Sequence, residues 1–139
     1  MGNMGQIETF RFEPAAPRRK KPAKAYFDLL KTDAVKVELQ IVEEGGENRM
    51  HSHPYLDGIW YVLRGRARFY DVNDQPVEVG ADEGVHVPHG TRYWYETASD
   101  EPLHILLVAV QTPNTDSRTR HHIEYHDPDE PALTDEVGA

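Results

Sequence analysis

The chain contains no cysteine. That one absence excludes disulfides, thiolate metal ligands and a cysteine nucleophile together. A reducing compartment is thereby permitted, and the cytoplasm is the expected location. No apolar run approaches the roughly 20 residues that a membrane helix needs. The N-terminal stretch "MGNMGQIETFRF" has no signal-peptide apolar core, so export by that route is not expected. Positive charge is also scarce: 15 lysines and arginines stand against 24 carboxylates, for a formal net charge of −9. Such a balance argues against nucleic acid and anionic membranes as partners, because phosphate binding needs a positive field. The one basic cluster, Arg18-Arg19-Lys20-Lys21, lies between prolines and reads as a solvated segment. Internal repeats and low-complexity segments are missing too.

What remains is a chain of 139 residues, 38% hydrophobic and 28% charged, long enough for one domain with a real core. Residues 1–33 read as an N-terminal arm, with a short strand over Ile7–Phe12 and a helical turn at "AKAYFDLLK". Residues 34–112 form the main domain. They carry "VKVELQIV", "RMHSH", "GIWYVL", "ARFYDV", "PVEV", "GVHVP", "RYWYET" and "LHILLVAV", separated by segments with Gly, Pro, Asn or Asp. Short strands at this spacing, with no helix between them, predict an all-β fold: an antiparallel sandwich or closed barrel. Residues 113–139 form a polar, acidic tail, which either wanders or lies along the barrel through Ile123 and Tyr125.

The chemistry concentrates in "GENRMHSHPYLDGIWYVLRGRARFYD". On a strand, residues i and i+2 share a face, so His51 and His53 project together about 6.5 Å apart along the chain. Two imidazoles at that distance can converge on Fe, Zn, Ni or Cu. The surrounding pattern is Gly45, His51, His53, "PYLDG", "IWYVL" and Gly65, followed downstream by Pro88, Gly90 and Tyr93 in "GVHVPHGTRYWYE". It resembles the two signatures of the cupin superfamily over roughly residues 36–111. The resemblance implies an antiparallel jelly-roll β-barrel with a metal or ligand site in its lumen, a small-molecule ligand or substrate, and a homodimer.

A typical metal-binding cupin supplies two histidines and a glutamate from the first signature and a third histidine from the second. Here the glutamate position falls on Gly58 and the last histidine position on Tyr93. Only His51 and His53 carry over. Candidates for a third metal ligand are Tyr93, His86, His104 and Asp57, the last only if a bulge at Gly58 re-aims it. Phenolate ligation by Tyr93 works against a reference pKa near 10, unless the metal lowers it. His89, in the Pro-x-Gly turn, is expected to face solvent. His121, His122 and His126 in the tail read as polar tail residues that could be metal-sticky.

Strand alternation puts Trp60 and Val62 on the lumen side. By the resemblance, Tyr93 and Tyr95 share the face that the family's ligand would occupy, and Trp94 faces away. Arg49 shares the face of His51 near the mouth. Arg49, Trp60, Tyr93 and Tyr95 are thus the candidate substrate contacts, with Tyr93 and His51 as catalytic candidates. Three readings remain open. In the first, a divalent transition metal on His51 and His53 serves an oxygenase, isomerase or cyclase. In the second, a metal-free enzyme uses a histidine as general base and Tyr93 as oxyanion partner. In the third, the barrel only binds a metabolite.

Overall fold

The computed structural model describes residues 5–46, 49–73 and 75–126. Their backbone hydrogen bonds arrange antiparallel strands into two facing layers. One layer is a six-stranded sheet. It begins with β1 (Arg19–Lys21), β2 (Lys24–Lys31) and β3 (Val35–Val42). The later strand β10 (Leu103–Gln111) comes next, followed by β5 (Leu56–Arg64) and β8 (Gly84–Val87). The other layer places β6 (Arg66–Tyr70) between β7 (Val77–Gly80) and β9 (Trp94–Thr97). It continues through β4 (His51–Ser52) and β11 (Glu124–Tyr125), because His51 bridges to Tyr93 just ahead of β9. This is the antiparallel jelly-roll barrel that the resemblance implies, and it is one of the two architectures that the short-strand pattern allows.

The period-2 alternation of each strand decides what faces inward. On β5, Trp60 and Val62 are buried while Ile59, Tyr61 and Leu63 are exposed. On β10, Leu103, Ile105 and Ala109 are buried. The resulting core joins Val42, Trp60, Val62, Ala67, Phe69 and Tyr95. Each large side chain withdrawn from water here stabilises the fold by about 1.5–3 kcal/mol. On β3 the alternation is inverted relative to a usual soluble sheet. Its polar residues Lys36, Glu38 and Gln40 line the barrel interior, whereas Leu39 on the outer face is nonetheless buried. Part of that cover is the N-terminal arm, since Phe12 meets Phe27 of β2 edge to face at 4.8 Å.

Two expectations for the arm are corrected. "AKAYFDLLK" is not a helical turn but strand β2, paired with β3 from Lys24↔Val42 to Lys31↔Lys36 around a bulge. Eight residues that find a backbone ladder beside β3 outweigh a weak local helical preference. Ile7–Phe12 forms no strand, and Phe12 of this segment packs on Phe27 of the sheet. The tail, in contrast, lies along the barrel as far as it is described. A 3-10 turn at Ser117–Thr119, capped by Asp116, precedes Arg120, and β11 then pairs with β4. Among the described residues no helix is long and apolar enough to cross a membrane.

Candidate functional site

The two signature blocks are clamped to one another by backbone bonds. His51 exchanges N–H···O bonds of 3.0 and 2.9 Å with Tyr93, and the Gly90 N–H donates to the His53 carbonyl at 3.0 Å. Gly90 has φ +81°, a left-handed conformation that glycine adopts without a Cβ clash, so the Pro-x-Gly turn has a mechanical reason. On the other side of β4, Tyr125 of the tail is paired with His51, and the Ser52 hydroxyl meets His126 Nε2 at 2.9 Å. The histidine strand is therefore held along both edges.

Inside, the imidazoles of His51 and His53 lie edge to face with centroids 5.0 Å apart, and the Tyr93 ring is 4.6 Å from His51. The Nδ1 of His51 is 3.0 Å from the Arg49 carbonyl oxygen. A carbonyl only accepts, so Nδ1 carries the proton of this bond and Nε2 lies on the far edge of the ring. His53 has a buried Nδ1 with no protein partner, and its pKa is lowered to about 4. Burial is the main cause, followed by the neighbouring His51 and Lys36. The His53 imidazole is thus neutral across the physiological range.

These side chains open onto a cleft of about 710 Å³ that runs from His51, His53, Trp60 and Tyr93 out to Arg49 at the rim. A smaller, mainly apolar recess leads off it, lined by His53, Leu56, Gly58, Val87, Tyr93 and Leu107 among others. Gly58 shapes that recess by lacking a side chain. A Cβ there would stand 3.4 Å from Trp60 Nε1, which is itself buried without a partner.

The other sequence candidates fall elsewhere. Asp57 is committed to His89, accepting from its backbone N–H and from Nδ1, each at 2.8 Å. No bulge re-aims it toward the lumen. That pairing also leaves His89 half-buried rather than simply solvent-facing. His86 is exposed on β8 opposite Ile59, and His104 sits on β10 between the buried Leu103 and Ile105, on the face away from the lumen. Tyr95 is fully buried, donates to Gln40 and does not line the cleft, so it supports the wall instead of touching a ligand. Trp94 turns away, as expected, and stacks on Tyr70 at 4.2 Å. Arg49 is exposed at the mouth with its guanidinium 4.5 Å over the Tyr125 ring.

Among the cleft residues missed from sequence are Lys36 and Arg120, which also line the recess. The polar alternation of "VKVELQIV" was a usable signal for Lys36, but polar faces of strands ordinarily meet solvent. Arg120 lies in the tail, where nothing local marks it.

The donor set fits a tightly held divalent metal poorly. Among the described residues no three His, Cys, Asp or Glu side chains come together. The third group beside the imidazoles is a phenol. Lys36 and Arg120 share the recess, and cations there oppose a dication.

A β-barrel with a paired-histidine strand clamped to a Pro-x-Gly turn is the architecture of the cupins. The family model described as "Cupin domain" matches residues 38–109, and the chain belongs to that family. A curated relative, "Polyketide synthase CurC" of Streptomyces cyaneus, is 28% identical over 101 residues, which cover 73% of this chain and 62% of the relative. The chain thus spans less than two thirds of that relative's length. Among solved structures, an uncharacterised protein with a double-stranded β-helix domain from Klebsiella pneumoniae superposes with a TM-score of 0.67 at 17% identity, covering 86% of this chain and 99% of the other. Pac13, described as a nucleoside dehydratase, gives 0.62 at 18% identity over 88% and 98% of the two chains. A histidine variant and a tyrosine variant of Streptomyces Pac13 with uridine are also similar, and such distant likenesses establish the fold.

Proposed function

We propose that this cupin domain is an enzyme that moves protons on a small organic molecule held in the lumen, without a tightly bound metal. His51 acts as general base, and Tyr93 is the hydrogen-bond or proton donor to the developing oxyanion. The observation that supports this reading is the bond from His51 Nδ1 to the Arg49 carbonyl, which commits Nδ1 as a donor and makes Nε2 the candidate base beside the Tyr93 ring. A proton would pass from a C–H or O–H of the substrate to Nε2 while the charge left on oxygen is met by the Tyr93 hydroxyl. His53, neutral and buried, offers a hydrogen bond to the ligand, and Trp60 forms the apolar floor. Dehydration, isomerisation and cyclisation all use this pair of roles, and the dehydratase description of Pac13 is consistent with them.

Turnover of a small-metabolite extract, followed by mass spectrometry, tests the proposal. Chelator-treated enzyme is expected to convert a component, and H51Q to lose about 10²–10⁴-fold of that rate, as for loss of a general base. Product formation that requires added metal, or that survives H51Q, contradicts it.

A second reading keeps a divalent Fe, Zn, Ni or Cu ion on His51 and His53. It is supported by the neighbouring imidazoles of His51 and His53, 5.0 Å apart, and opposed by the missing carboxylate at Gly58 and the cations of the recess. The homodimer that the family resemblance implies would use the outer face of the six-stranded sheet. There Ile59, Tyr61 and Leu63 lie exposed in one row, flanked on β10 by Leu106 and Val108. Light scattering is expected to give twice the chain mass, reduced to one chain in L63E; a monomeric wild type contradicts the dimer.

A further inference from the structure

The chain is strongly acidic, yet its lumen is not. Of the described residues lining the cleft, seven are lysine or arginine and two, Glu38 and Glu44, are acidic. Most of those cations already have partners. Arg18 bonds Asp28 and Glu38 at 2.7 and 2.6 Å, and Lys24 and Arg19 lie over the Tyr26 ring.

Arg120 and Lys36 differ. Arg120 is 8% exposed, and among the described residues no carboxylate lies within ion-pair distance of it. One terminal nitrogen donates to the Thr32 carbonyl at 2.6 Å, and the buried Nε has no protein partner. A buried guanidinium left this way is costly unless something anionic joins it. Lys36 reaches only Glu38, at 3.8 Å, a carboxylate that Arg18 already holds more closely. Burial lowers the Lys36 pKa, as for an ammonium without a sufficient counter-charge. Arg120 is moreover placed deliberately by a local network. Gln111 donates to Thr115 and Thr119 at 2.7 and 2.6 Å, the Thr119 hydroxyl donates to the Asp116 carbonyl, and the turn delivers Arg120 into the barrel. Both cations line the apolar recess that His53, Gly58 and Tyr93 share.

We propose that the ligand of this lumen is an organic anion, its apolar body in the Gly58 recess and its anionic oxygen group between Arg120 and Lys36. The inference rests on the reading that the lumen is the ligand site, but not on His51 being a base. A guanidinium fork donates two parallel bonds to a carboxylate or a phosphate, and the ammonium adds a point charge.

Calorimetric titration with benzoate, phenyl phosphate and the neutral isostere benzamide tests it, at low and high salt. At least one of the two acids is expected to bind about tenfold or more tightly than benzamide, with affinity falling as salt rises. The acid that binds better identifies the carboxylate or the phosphate form. K36M and R120Q are each expected to weaken the acid about tenfold without changing benzamide, and having two variants guards against one that fails to fold. Equal binding of benzamide and the acids, no binding of either acid, or unaltered affinity in folded K36M and R120Q overturns the proposal. Retained binding with turnover intact in H51Q would sink the base assignment alone and leave the anion site standing.

Discussion

Replacing Gly58 with glutamate is expected to turn the recess into a metal site, raising affinity for Zn or Ni by about 100-fold or more over wild type. Three features of the wall lead to this result. The position belongs to β5 and opens into the recess that His53 and Tyr93 also line. A Cβ there meets Trp60 Nε1 at 3.4 Å, Leu107 at 3.7 Å and the Val87 carbonyl at 3.7 Å, ordinary contacts that leave room for the side chain to extend. The unpartnered Trp60 N–H could then donate to the new carboxylate. Two imidazoles alone hold a dication weakly; a carboxylate a few ångströms away adds several kcal/mol at an effective dielectric near 20, and it offsets the field of Lys36 and Arg120. Competition titrations on chelator-treated wild type and G58E give the comparison. Tight binding by the wild type, with no gain in G58E, would show that the imidazole pair already has its third ligand.

The second large effect is on stability against pH. The folded-state pKa of His53 is about 4, against a reference near 6.5. Between these values the unfolded chain binds the proton that the folded chain refuses, so stability rises with pH across the window. The contribution is complete above about pH 6.5 and is lost as pH falls toward 4; a shift of this size corresponds to about 3 kcal/mol. Other carboxylates and His104 titrate as well, so the informative quantity is the difference from H53Q. Urea unfolding at pH 7 and pH 4 is expected to show wild type losing about 3 kcal/mol more than H53Q. Parallel losses in the two proteins would mean that His53 is protonated in the fold.

Much of this was legible in the chain. The strands from "VKVELQIV" to "LHILLVAV" carry period-2 alternation and punctuating turns, so the barrel could be read along with the inward face of Trp60, Val62 and Tyr93. The shared lumen face of His51 and His53 and the opposite orientations of Tyr93 and Trp94 follow from the same periodicity, whereas the pairing of His51 with Tyr93 does not. What stayed hidden depends on partners distant in sequence. "AKAYFDLLK" looks helical until β3 is beside it. Tyr95 reads as a lumen residue until Gln40, on another strand, takes its hydroxyl. Arg120 becomes a site residue only when the tail turn packs against Thr32, 88 positions away. Local patterning fixes which face a side chain occupies; long-range closure decides whether that face is cavity or core.

The central claim is that His51 presents a basic Nε2 to the lumen, and ¹⁵N-detected imidazole spectra of chelator-treated protein at neutral pH test it most directly. The expected result is one stable tautomer for His51, protonated at Nδ1 and bare at Nε2, with the Nε2 resonance moving when benzoate is added. An Nε2-protonated tautomer would remove the base from the site and contradict the account.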